Sequence, residues 1–177
     1  MRRMSVAVAI LASAVFVSLS AQSRVTKETV PGITNFARVE TTVACAGAVK
    51  TEAVPEIKKL GFSSIINLRE ATEQGADVDA EAAAAKAAGL NFVHLPFNVA
   101  SPDPHLVDNF LTAITKPGMQ PAFIHCAGGG RASAMWMIKR MKIDKWDEAR
   151  AAEEAAALGL NNERLKQFAL NYIREHK

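Results

Sequence analysis

The 177-residue chain holds only two cysteines, Cys45 and Cys126, too few for a disulfide framework. Its four histidines are scattered and show no metal-ligand spacing, so neither a metal nor a cofactor is expected. Charge of one sign is scarce as well. The net charge is +3, Arg2 and Arg3 supply two of those charges, and the remaining near-neutral body has no electrostatic footprint for nucleic acid. No apolar run reaches the ~20 residues of a spanning helix, so a polytopic membrane protein is excluded, and no internal repeat is present. What the chain does have is ordinary globular composition, 49% hydrophobic and 22% charged, at a length that fits one domain.

The first residues follow an export pattern. Arg2 and Arg3 form a basic start, Ser5 to Leu19 (SVAVAILASAVFVSL) is apolar without a charge, and small residues follow at Ser18, Ser20 and Ala21. Residues 1–21 are therefore expected to be a cleaved signal peptide, which places the mature protein in the periplasm or outside the cell, with no stable membrane span. An uncleaved anchor of the same orientation is the alternative. Residues 22–33, polar with a Pro31-Gly32 turn, are expected to be an N-terminal tail, and residues 34–177 the folded domain.

Within that domain short apolar strands alternate with helices. Strands are expected at Val39 to Ala48, Phe62 to Leu68, Asn91 to Phe97 and Pro121 to His125. Helices are expected at Thr51 to Gly61, Asp79 to Gly89, Ser101 to Thr115, from about Arg131, at Trp146 to Leu158 and at Asn161 to Lys177. Glycine stops the first two, and Pro104 suits the first helical position of the third. The alternation means an α/β fold with a mostly parallel central sheet flanked by helices. The runs AEAAAAKAAG and ARAAEEAAALG are helices built from the best helix former and need no low-complexity explanation.

One motif is sharp. Ile124-His125-Cys126-Ala127-Gly128-Gly129-Gly130-Arg131 leaves an apolar strand, passes a glycine-rich turn and enters a helix. Glycines let successive N–H groups converge on an anion, and the helix adds its unpaired N–H groups and positive dipole end. Arg131 can grip two oxygens of a tetrahedral anion. The same field favours the thiolate of Cys126, its nucleophilic form.

These residues resemble the cysteine-dependent tyrosine and dual-specificity phosphatases, in particular compact bacterial members with a shortened signature. GFSSIINLRE is similar to that family's strand ending in N-L-R, AGLNFVHLPF to the strand before its acid loop, and PAFIHCAGGGR to its phosphate-binding signature. The resemblance implies a phosphotyrosine-phosphatase-like fold and a phosphoric monoester hydrolase acting on a phosphorylated small molecule or a phosphoprotein. It implies Cys126 as nucleophile forming a cysteinyl-phosphate, Arg131 as phosphate clamp, and the backbone of Ala127, Gly128, Gly129 and Gly130 as the cradle. An upstream aspartate would protonate the leaving group. Two departures stand out. The loop places four residues between Cys126 and Arg131 where five are usual, and Ala132 occupies the position of a hydroxyl residue, with Ser133 after it. Where the family's aspartate is expected the chain reads Asn98-Val99, and Asp103, before Pro104, is the nearest carboxylate. It fits a helix N-cap as well as an acid.

A loop of this length also suits a rhodanese-type sulfurtransferase carrying a Cys126 persulfide, and a phosphate-binding pseudophosphatase is the non-catalytic reading. The G-H-I-P-G-A segment usual after the corresponding rhodanese strand is missing after Glu73. Other residues have bland readings beside functional ones. Arg69 and Glu73 form either a surface ion pair or part of the pocket floor. His125 is expected to order the loop by a local hydrogen bond, and Met135, Trp136 and Met137 to pack the core. Cys45 is either a small buried residue or a redox partner of Cys126.

Overall fold

A computed structural model describes residues 25–176. The expected signal peptide lies outside the described residues. Six strands form one sheet in the order β1-β2-β3-β6-β4-β5. The strands β1 (Val25–Lys27), β2 (Ala37–Val39) and β3 (Val43–Ala46) pair antiparallel with one another in that order. Beyond them β3, β6 (Ala122–His125), β4 (Ser64–Asn67) and β5 (Asn91–His94) are parallel. The fold is α/β with a largely parallel sheet, as the alternation of strand and helix requires.

Period-2 alternation on the central strands divides the core into two layers. On β6, Phe123 faces one layer and stacks with Phe36 at 6.1 Å and edge-on with Phe62 at 5.7 Å between ring centroids. That layer is covered by α1 (Val54–Lys59) and α2 (Val78–Ala87), which contribute Val54, Ile57 and Ala85. Ala122 and Ile124 face the other layer, built by α3 (Pro104–Thr115), α4 (Gly130–Lys142), α5 (Glu148–Ala157) and α6 (Glu163–Glu175). Met135, Trp136 and Met137 are fully buried there, as packing residues should be. The Trp136 indole donates to Glu154 Oε1 at 2.7 Å, which satisfies a polar atom that burial would otherwise penalise.

Three expectations need correction. The stretch Val39 to Ala48 is not one strand. A turn closed by Thr42 N donating to the Val39 carbonyl at 3.0 Å, with Glu40 at φ 44°, folds it into a hairpin with Val39 opposite Val43. Residues 25–33 are not a tail, because β1 pairs with β2 and Val30 and Ile33 are buried. Polar neighbours hid those apolar positions. The third helix begins at Pro104 rather than Ser101, with Asp103 as its cap.

The four parallel strands end together at Ala46, Asn67, His94 and His125. Their carboxyl edge is where an open α/β sheet presents a crevice, and the glycine loop leaves β6 there.

Candidate active site

Cys126 follows the last residue of β6 and is 2% exposed. Its N–H donates to the Ala46 carbonyl at 3.2 Å, and its Sγ accepts the Gly129 N–H at 3.1 Å. The thiol thus sits inside the turn made by its own loop. Gly129 caps α4 at φ 100°, a conformation that side chains strongly disfavour, so glycine is required at this point. The loop is braced from β3. Ala48 N donates to the Ala127 carbonyl at 3.0 Å, and a Cβ at Gly47 would stand 2.9 Å from that oxygen. Asn35 adds a bond from Nδ2 to the Gly128 carbonyl at 3.2 Å. Carbonyls held outward in this way turn the intervening N–H groups inward, which is the geometry of an anion nest.

Arg131 is anchored from behind. Its Nη1 donates to the carbonyls of Leu68 at 3.0 Å and Phe97 at 2.8 Å, and to Glu73 Oε1 at 2.6 Å. Its Nη2 donates to Glu73 Oε2 at 2.8 Å. The guanidinium also reaches Cys126, and its Nε–H with the second Nη2–H forms the side-on edge that matches two oxygens of a phosphate. Burial works against the Arg131 charge, but the Glu73 hydrogen bonds, Cys126 and the Glu73 charge outweigh it and hold the guanidinium above its usual range.

Glu73 is therefore pocket floor rather than a surface ion pair. Arg69 Nε lies 3.4 Å from its Oε2, and Glu70 N donates to its Oε1 at 2.8 Å. Burial would raise its pKa; the bonds from Arg131 and Glu70 and the Arg131 charge pull it down from 4.5 to about 2. The sign follows directly. A carboxylate held below its unfolded value adds stability above pH 4.5 and loses it as pH falls from 4.5 toward 2. Glu73→Gln is expected to flatten that acid limb in thermal denaturation recorded across pH. An unchanged limb would show that the pair carries no net linkage.

A second polar chain runs beneath the loop. His125 Nε2 approaches Glu81 Oε1 to 2.7 Å, off the line of a regular hydrogen bond, and both residues are buried. Asn67 Nδ2 donates to Glu81 Oε2 at 2.8 Å, and Asn67 Oδ1 accepts the Arg69 N–H at 2.7 Å. His125 therefore faces Glu81 on α2, and its ring nitrogens make no hydrogen bond to the loop that follows it. Ser133 is occupied by partners other than Cys126. Its Oγ lies 3.1 Å from the carbonyls of both Gly129 and Leu158 and also neighbours Cys45. Cys45 and Cys126 are both free thiols, and burial pushes the Cys45 thiol far up.

A cleft of about 520 Å³ opens over the cysteine, lined by the loop, by Arg131, Glu70 and Glu73, by Asn98 to Ala100, and by Asn161, Asn162 and Leu165. Cys126, Ala127, Gly128, Gly130 and Arg131 come together here. Asp103 does not join them; it is exposed, its carboxylate accepts the His105 N–H at 2.9 Å, and it caps α3. The residues around the loop and cleft that the chain pattern concealed are Asn35, Glu70 and Glu81. For Glu73 the i, i+4 spacing from Arg69 was the available signal.

Residues 35–143, more than half of the chain, match the family described as beta-lactamase hydrolase-like protein, phosphatase-like domain. No curated protein matches the sequence. Among solved structures, P. aeruginosa TpbA is similar at 20% identity and TM-score 0.65, covering 89% of this chain and 92% of that one. The core catalytic domain of the PP-IP phosphatase SIW14 from S. cerevisiae, in complex with citrate, has 20% identity and TM-score 0.65, covering 81% and 88%. A DUF442 protein from Shewanella putrefaciens has 21% identity and TM-score 0.66, covering 81% and 93%. At such identities the likeness is one of fold.

Proposed function

The chain belongs to the family of phosphatase-like domains of beta-lactamase hydrolase-like proteins, and on that premise we propose that it is an exported cysteine-dependent phosphatase working through a cysteinyl-phosphate. The observation that carries this reading is the pairing of Cys126 Sγ, inside its loop, with an Arg131 fork held by Glu73. The phosphoryl oxygens sit against the loop N–H groups and the Nε/Nη2 edge of Arg131, where charge spreads in the transition state. Cys126 thiolate forms the S–P bond as the ester P–O bond breaks. Water then attacks phosphorus, the S–P bond breaks, and inorganic phosphate leaves.

Charge in the cleft bears on the substrate. Arg131 is the cationic side chain that lines it, Glu73 already offsets that charge, and Glu70 adds a second carboxylate. A substrate carrying several phosphates would meet repulsion there, so a single phosphomonoester on an otherwise uncharged body, a small molecule or a phosphoprotein, is the favoured class. TpbA, similar in fold, has been solved with pTyr, which fits that class. Arg2, Arg3 and the apolar run after them support export to the periplasm.

The deciding experiment assays exported protein, whose N-terminal sequence is expected to start near Ala21, on p-nitrophenyl phosphate. A stoichiometric burst of p-nitrophenol with a trappable covalent phosphoenzyme is expected. Thiosulfate-to-cyanide sulfur transfer without phosphatase turnover would replace the reading with the sulfurtransferase, and phosphate binding without either turnover with the pseudophosphatase.

A further inference from the structure

Transfer from an alkyl ester needs a proton at the leaving oxygen, and the cleft contains only a few groups able to hold one. Asn98 is an amide, and Asp103 lies outside the cleft as a helix cap. Glu73 is a cleft carboxylate, but its oxygens are committed to Arg131, Arg69 and the Glu70 N–H. Glu70 remains. It is half-buried, it lines the cleft with Cys126 and Arg131, and its Oε1 accepts the Asn98 Nδ2–H at 3.1 Å. Asn98 is itself fixed, because its Oδ1 accepts N–H bonds from Ala100 at 2.8 Å and Ser101 at 3.1 Å.

We propose that Glu70, steered by Asn98, is the general acid and base of this cleft. The proposal rests on the phosphatase reading. As Cys126 Sγ bonds to phosphorus and the P–O bond breaks, the Glu70 carboxyl proton passes to the leaving oxygen, giving the alcohol and the Glu70 carboxylate. That carboxylate then takes a proton from the water that attacks phosphorus, the S–P bond breaks, and the Cys126 thiolate returns. The position after β5 that lacks an aspartate keeps an amide instead, and the amide aims a carboxylate delivered from the end of β4. The two connections are adjacent because β4 and β5 pair in register, with Asn67 opposite His94.

The charged groups around Glu70 are Arg69 and Glu73 on its own segment and Cys126 and Arg131 from the loop and α4. From α6, Arg164 reaches the same connection as Asn98, donating to the Ala100 carbonyl at 3.1 Å. The test compares wild type, Glu70→Gln and Asp103→Asn on p-nitrophenyl phosphate and on an alkyl phosphate across pH. Glu70→Gln is expected to lose about 10²–10⁴-fold in alkyl-ester kcat, along with the basic limb of its pH profile. Its aryl-ester burst, which reports P–O cleavage and needs little protonation of the leaving group, should slow less than about tenfold and reports a folded site, while steady-state aryl turnover falls with the lost base. Alkyl turnover retained in Glu70→Gln, loss appearing instead in Asp103→Asn, or a wild type inactive on the alkyl ester would each overturn the assignment. A wild type without aryl-ester turnover would instead sink the phosphatase reading.

Discussion

Cys126→Ser is expected to lower turnover of p-nitrophenyl phosphate by about 10³-fold or more, since a hydroxyl without an activated partner is a far poorer nucleophile than a thiolate. Serine is close to cysteine in shape, and the site is 2% exposed, so the fold and loop should persist. The Gly129 N–H, now 3.1 Å from sulfur, would find an oxygen acceptor in its place. Inorganic phosphate, measured by calorimetry or as protection against thermal unfolding, should therefore still bind, because the nest and the Arg131 fork are untouched. Loss of turnover with binding kept separates a chemical role from a structural one. Undiminished turnover in the serine variant would end the covalent mechanism.

What the chain made legible was local, and what it concealed depended on contacts between distant segments. The strand, glycine turn and helix around Cys126 lie within a dozen residues, and each glycine and the arginine carry their chemistry on their face. The cap at Asp103 was legible for the same reason, since Asp before Pro is a local signal, and the structure places it on the His105 N–H. Glu73 meets Arg131 across 58 positions, a pairing that exists only because β4 lies beside β6. Glu81 was harder still. It stands in an alanine-rich helix that reads as a solvated face, yet α2 packs it to 5% exposure over the sheet, where it meets His125 and Asn67. The split of Val39 to Ala48 was hidden because a β-prone run reads the same whether it is continuous or folded at Glu40.

Arg131→Lys is the other large effect, and it tests the architecture behind Cys126. An ammonium keeps the charge but cannot bridge both Glu73 oxygens, reach the Leu68 and Phe97 carbonyls and still offer a two-toothed edge to phosphate. The loss of one preorganised donor edge at a transition-state oxyanion typically costs ~10²–10³-fold in rate, and that range is expected for kcat/KM on p-nitrophenyl phosphate. Weaker inhibition by inorganic phosphate should accompany it, because the same edge serves the product. A second consequence follows from the anchoring. The Leu68 carbonyl keeps the Phe97 N–H, but the buried Phe97 carbonyl loses its Arg131 donor at a cost of ~1–3 kcal/mol, so the lysine variant should also unfold at lower denaturant. Combining Arg131→Lys with Glu73→Gln tells the two effects apart. If Glu73 acts through Arg131, the double variant should lose little more activity than Arg131→Lys alone, because the partner it positions is already gone. Independent, additive losses would show that Glu73 serves the site by a route other than the guanidinium. Arg131→Lys activity within about tenfold of wild type would remove Arg131 from the clamp altogether.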